Sequence, residues 1–369
     1  MKIDPHRTNH PKMTRSGSVS RCFTAPFEYR KHWFLLVFSA AAGLWYAASI
    51  TSADDTTESA ASNSEISLPA ASATSNSSKR SAQQAATVLN RAILQLANGP
   101  AFDAKLRETV WTSGRSVMAR GRYEQAGQGT GRYNMQLKLI DSDGKHSMQQ
   151  ISDGRLAWKR TEIAGEITIT RVNLGALNEA VRLAGRSVTL SPKLRVGGLI
   201  EMLDTIKRDY DLSLHLGALN ENKVLMITGD LNDTARARIL TESGRTTWPE
   251  LCPSFVRLAI AIPVEPPADA DAGQPMPADA AAGLPIRFEY CAEPILASTE
   301  QDGETVTKQR RPTIALFELF SIQQINPPPI SRFEFQRSDA DVNFIDETAR
   351  YVEPYGLQMT DLQRKRLRR

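Results

Sequence analysis

The chain has 369 residues, 41% hydrophobic and 23% charged, with 45 basic against 41 acidic side chains, three cysteines and five histidines. That composition fits a globular protein with appendages and excludes a collagen, a disulfide-dense mini-protein, a polytopic membrane protein and a wholly disordered chain. The net charge of +4 is unevenly spread: residues 1–32 carry seven basic and two acidic groups and residues 359–369 five and one, which leaves the rest at −5. A mildly acidic domain between basic ends lacks a broad cationic field, so no nucleic-acid partner is expected.

Residues 33–50, WFLLVFSAAAGLWYAASI, are free of charge and follow Arg30, Lys31 and His32. The length is at the lower edge for a spanning helix, and the positive flank keeps residues 1–32 in the cytoplasm and exports the rest. The segment reads as a retained membrane anchor. A signal peptide cut after Thr51-Ser52-Ala53, which would release a soluble exported protein, is the alternative. Residues 51–82 are mostly Ser, Ala, Thr, Asn and Asp, with little to bury, and read as a disordered linker. Residues 359–369 form a basic tail.

The folded domain is expected over residues 83–358. Residues 83–98 have an amphipathic helical stripe (Ala85, Val88, Leu89, Ala92, Ile93, Leu96) that stops at Asn98-Gly99-Pro100. Strands follow at 103–111, 116–125 and 132–139, the last with Tyr133, Met135, Leu137 and Leu139 alternating with polar residues. Short strands at 149–151, 155–159 and 166–172 continue the meander. Helices are expected at 177–184 and 199–210, strands at 212–216 and 224–229, and a helix at 233–243 with Asn232 as its cap. Strand-like runs end the chain at 253–264, 285–291, 313–322, 332–336 and 341–344, with a low-complexity insertion at 264–284. Runs of strands with segregated helices mean an α+β fold: a large curved antiparallel sheet, a half-barrel of about 10–11 strands, with helices against its concave face.

Cys252 and Cys291 flank two strand-like runs. If those runs form a hairpin, both cysteines reach its open end at a spacing a disulfide accepts, so a Cys252–Cys291 bond is expected. Only His146 and His215 lie in the folded region, and His146 reads as a solvent-facing strand residue. There is no phosphate loop, no nucleophile elbow and no CxxC. Neither an enzyme, a metal nor a cofactor is therefore expected. What remains is an apolar sheet face, with Tyr133, Met135, Leu137, Leu139, Trp158, Ile167 and Ile169 as candidates either to form a helix-covered core or to line a cleft for acyl chains.

Four features in order carry a resemblance to the LolA/LolB-like family of periplasmic lipoprotein carriers, and within it to exported bacterial proteins with long leaders and insertions. A helix at 83–98 runs into strands. The meander contains Ser152-Asp153-Gly154-Arg155-Leu156-Ala157-Trp158, and the strand at 166–172 follows. A late strand leads through Asn326-Pro327 to Arg332-Phe333-Glu334-Phe335 and Asp341-Val342-Asn343-Phe344. The resemblance implies a half-barrel whose concave face, lidded by helices, holds a lipid or the acyl chains of a lipoprotein, with Trp158 as the foremost contact. The alternative on the same fold is a membrane-anchored envelope sensor, a regulatory module that binds an inner-membrane protein.

Overall fold

A computed structural model describes residues 72–112, 115–141, 144–263, 280–301, 304–336, 344–352 and 355–357. Residues 1–71, the centre of the insertion (264–279), 341–343 and the basic tail, for all of which expectations are given above, lie outside the described residues. Among the described residues no helix is long and apolar enough to cross a membrane.

The chain opens with α1 (Ser72–Asn98), then β1 (Phe102–Thr112), β2 (Arg115–Gln125), β3 (Arg132–Asp141), β4 (Gly144–Asp153), β5 (Leu156–Ile163) and β6 (Glu166–Asn173). A helical section follows: α2 (Leu174–Leu183), the single turn α3 (Pro192–Arg195) and α4 (Gly198–Asp209). Then come β7 (Tyr210–Leu219), β8 (Asn222–Leu231), α5 (Asp233–Ser243), β9 (Phe255–Ala261), β10 (Pro285–Cys291), β11 (Ile295–Gln301), β12 (Glu304–Arg310), β13 (Thr313–Gln324) and β14 (Phe344–Asp346). Twelve strands form one open, curved sheet in the order β14-β6-β5-β4-β3-β2-β1-β13-β10-β9-β8-β7. It is made from two meanders, β1 to β6 and β7 to β10, joined because β13 pairs with β1 on one side and β10 on the other. The α+β half-barrel is present, with more strands than expected: β11 and β12 form a separate hairpin, and β14 adds a parallel pair at the β6 edge.

The helices follow from their sequences. α1 buries Ala85, Leu89, Ala92, Ile93 and Leu96 on one stripe, and Pro100 bars its continuation. It begins at Ser72, so residues 72–82, assigned above to the linker, are helical. The hydroxyl of Ser81 bonds both the N–H and the carbonyl of Leu214, which ties this early part of α1 to the edge strand β7. α4 buries Leu199, Met202, Leu203 and Ile206 and packs against α1. α2 starts where the Asn173 side chain accepts from the Ala176 N–H, and α5 where Asn232 accepts from Ala235.

Register decides which face each side chain meets. On β3, Tyr133, Met135, Leu137 and Leu139 point to the face that α1 and α4 cover, in one core with Tyr123, Leu106, Leu258, Phe288 and Phe317. At 1.5–3 kcal/mol for each large apolar side chain, burial on this face is the main term holding the helices to the sheet, roughly. The opposite, convex face carries alternating charge across β1, β13, β10 and β9: Arg107–Glu318, Arg287–Glu318, Arg287–Glu289 and Arg257–Glu289.

The late chain departs from expectation. Residues 332–336 do not form the expected strand; Pro327-Pro328-Pro329 before them have no N–H to give a ladder, and the chain leaves the sheet there. Residues 325–336 cross the convex face instead, with a 3₁₀ turn (Ile330–Phe333) over β3 and β4. Phe333 is buried there, Asn134 donates to the Arg332 carbonyl at 3.1 Å, and Arg332 lies 3.3 Å from the buried Glu124 carboxylate. Residues 344–352 and 355–357 then run from the β6 edge to the mouth of the concave side.

The cysteine hairpin forms as β9 and β10, but the residue opposite Cys291 is Phe255, three positions beyond Cys252. Cys252 sits before the strand begins, so the expected direct opposition is absent, and both cysteines are free, buried thiols. Burial raises the thiol pKa of each. His146 also differs from expectation: it is 3% exposed, and its Nδ1 accepts the Ala164 N–H at 3.2 Å.

Candidate binding cavity

The seven sidechains singled out in the sequence divide between the two faces. Leu137 faces Met148 across the β3–β4 ladder and Met135 faces Gln150; Gln150 in turn faces Lys159 on β5, and Lys159 faces Thr170 on β6. Directly opposed residues share a face. Tyr133, Met135, Leu137 and Leu139 are therefore concave, together with Met148, Gln150, Ala157, Lys159, Thr161, Thr170 and Val172. Trp158 opposes Ile151 and Arg171, and Ile169 opposes Arg160. The side chains of Trp158, Ile167 and Ile169 are thus on the convex side, although Trp158 also borders the cavity.

Trp158 has its own cover. Its ring stacks on Phe335 with centroids 4.9 Å apart, meets Phe344 edge-on at 5.5 Å, and has the Arg171 guanidinium 5.8 Å from its centroid. Arg171 also makes two hydrogen bonds to Asp346. Trp158, the foremost contact that the resemblance implies, packs its ring against the C-terminal segment and also borders the cavity at the β4–β6 end. Ala157, not Trp158, is in phase with the apolar residues of β3 through the hairpin registers.

On the concave side the four β3 residues are 0–7% exposed and filled over by helices. At the β4–β6 end the face turns polar and leaves a cavity of about 30 Å³, lined by Tyr133, Gln150, Lys159, Glu201, Glu347 and Tyr351 among others. That volume suits one water molecule. Its roof is the start of α4. Gly197 and Gly198 have φ of 81° and 61°, and a Cβ on Gly197 would come within 1.6 Å of the Tyr133 hydroxyl, so the tyrosine ring occupies the space that glycine leaves. The freed N–H groups find side-chain acceptors: Gly197 donates to Glu201 at 2.6 Å and Gly198 to Gln150 at 3.1 Å.

The second Glu201 oxygen accepts from the Tyr351 hydroxyl at 2.9 Å. Burial raises the Glu201 carboxyl to about 7, against the opposing pull of the Tyr351 and Gly197 hydrogen bonds and of Lys159 and Arg350. Burial likewise lowers Lys159 to about 8, while Glu347 and Glu201 favour its charge. Near neutral pH this end of the concavity holds a lysine and a carboxyl both close to their titration points. Sequence spacing could not have joined Lys159, Glu201 and Tyr351, because they come from a strand, a helix and a 3₁₀ turn far apart in the chain.

Beside the cavity lies a second apolar cluster: Ala157, Val172, Leu174, Leu177, Val181, Val196, Val352, Tyr355 and Leu357. The C-terminal segment supplies three of these and so closes the mouth between α2 and the sheet. Among the described residues no group of three or more His, Cys, Asp or Glu side chains is arranged to hold a metal ion.

No protein-family model matches the chain, and no curated protein matches it. Among solved structures it is similar to a DUF1329 family protein from Desulfovibrio piger, at 10% identity over 69% of this chain and 97% of the other, with a TM-score of 0.30. It is similar to LprF from Mycobacterium bovis, at 12% identity over 67% and 97%, with a TM-score of 0.30. A LolA superfamily protein from Nitrosomonas europaea matches at 9% identity over 68% and 97%, with a TM-score of 0.25. Likenesses of this size carry no inference about the chemistry of this chain.

Proposed function

We propose that this chain is a LolA/LolB-like, non-enzymatic binding protein that faces the periplasm and holds a lipid or the acyl chains of a lipoprotein in the concavity of its half-barrel. The supporting observation is how the concave face is covered. Apolar side chains from nine strands converge there, and their cover is α1 and α4 rather than a second sheet. Helices lying on a sheet can separate from it without breaking a ladder hydrogen bond, and α4 is entered through two glycines. In the closed arrangement side chains fill the concavity, so a ligand enters as α4 moves away. Each acyl methylene that replaces a helix contact contributes about 0.8 kcal/mol, enough for reversible capture and handover. Residues 33–50 would hold the protein at the inner membrane, or be cut to release it.

The filled concavity also favours a second reading, an envelope sensor that binds an inner-membrane protein. Lipid extraction from the exported full-length protein, purified from the bacterial envelope, separates the two. The carrier reading expects about one bound lipid per chain. An empty protein that also fails to take up a fluorescent fatty acid would select the sensor.

A further inference from the structure

We propose that the C-terminal segment, residues 344–352 and 355–357, is a displaceable internal ligand of the concavity, and that Lys159 is the head-group site it covers, so that the amphiphile replacing it is anionic. This rests on the lipid-binding reading and adds a ligand class and a gate to it.

The segment imitates such a ligand in parts and order. Its Glu347 carboxylate lines the same cavity as Lys159, while Val352, Tyr355 and Leu357 supply an apolar stretch laid against Ala157, Val172 and α2. By register Lys159 is the lysine or arginine that β4 to β6 present on the concave face, since Lys145, Arg160 and Arg171 alternate to the other side. Arg350, the other cation that acts on this site, belongs to the segment itself, so Lys159 is the cation the sheet contributes at the polar end of an otherwise apolar trough, the arrangement that orients a chain with a charged head.

The segment is held by discrete, side-chain-dependent contacts rather than by a long ladder. β14 pairs with β6 over three residues only. Asp346 bonds Arg171, the Thr348 hydroxyl accepts the Asn173 N–H at 2.8 Å, and Tyr351 bonds Glu201 at 2.9 Å. Glu347 favours the charge of Lys159 across the cavity, and its ion pair is with Arg350 in its own turn at 3.4 Å, so the two leave together when the segment moves. Removing the segment would uncover Lys159, Glu201 and the second apolar cluster together, without disturbing the core under α1.

The test uses the full-length protein with a fluorescent fatty acid and the matching fatty alcohol. A chain ending at residue 343, and separately a Glu347→Gln, Tyr351→Phe double variant, are compared with the unmodified protein. Both should bind the fatty acid about tenfold more tightly, because the competing internal ligand is gone or weakened. Lys159→Met in either background should lower fatty-acid affinity about tenfold and leave the alcohol within about twofold. Should the shortened chain fail to fold, the double variant, which keeps Val352 and Tyr355, gives the reading. Equal affinity with and without the segment, or loss of acid and alcohol alike in Lys159→Met, overturns the proposal and leaves lipid binding standing. If no folded variant binds either probe, the lipid-binding reading itself is wrong.

Discussion

The two ends of the concave face are covered in different ways. Over β1 to β3, β13, β10 and β9 the face is apolar, and regular helices lie on it with Leu89, Leu96, Leu203 and Ile206 wholly enclosed. Over β4 to β6 it carries Gln150, Lys159, Thr161 and Thr170, and its cover is a glycine-led helix start and an irregular C-terminal segment. An apolar surface accepts any apolar stripe, because dispersion and the hydrophobic effect are not directional. A polar surface must be matched donor to acceptor, which a helix with satisfied backbone groups does poorly and an irregular segment does well. The apolar end is therefore built for stability, and the polar end for contacts that can be exchanged.

Breaking the apolar end should be the most damaging. Leu203→Asp places a charge at a fully enclosed site facing α1 and the sheet, and more than about 4 kcal/mol is expected, enough to abolish cooperative thermal unfolding. The polar end should give way locally. Trp158→Ala removes the ring under Phe335 and Phe344, at a cost of about 1–3 kcal/mol, and hydrogen exchange should rise in residues 344–352 while β1 and β2 stay protected.

Titration sharpens the contrast. Glu108 is 4% exposed within the apolar end, and burial raises its carboxyl to about 7. Between pH 4.5 and 7 the folded protein then binds more protons at this site than the unfolded chain, so stability falls as pH rises through that window. Glu108→Gln should remove about 1–3 kcal/mol of that fall, read from denaturant midpoints at pH 5 and pH 8. Asp346, at the polar end, has the opposite sign. Burial pushes its carboxyl up, but hydrogen bonds from Thr348 and Arg171 outweigh this and hold it below the usual value. Its contribution is present above the ordinary aspartate pKa and is lost as pH falls through its lowered value. In Asp346→Asn the C-terminal segment should exchange faster at neutral pH, with the difference from the unmodified protein fading in acid. The smallest effect is expected at Asn232→Ala, where loss of the α5 cap costs about 1 kcal/mol.

The same division governs what the sequence discloses. The α1 stripe, the Asn232 cap and the alternation along β3 are local patterns whose period names the element and its buried face, and the structure has all three. The side of the sheet that Trp158 faces is not legible locally, because the pairing register, which sets Ala157 and Lys159 inward, depends on the neighbouring strands. Residues 332–336 have strand-like composition, but whether a segment that follows three prolines joins an edge or lies across a face depends on distant strands. His146 looks like a polar strand residue until the β5–β6 turn brings the Ala164 N–H to it. The Lys159, Glu201 and Tyr351 group has no spacing signature at all.

The central claim is that the concavity is a covered ligand site whose helix and C-terminal covers move. Hydrogen exchange of the full-length protein, with and without saturating palmitate below its micelle concentration, tests it most directly. The account predicts that palmitate raises exchange in α4 and in residues 344–352, with the β1–β2 ladder unchanged. Exchange that changes only on the convex face, or nowhere while palmitate is bound, would contradict it.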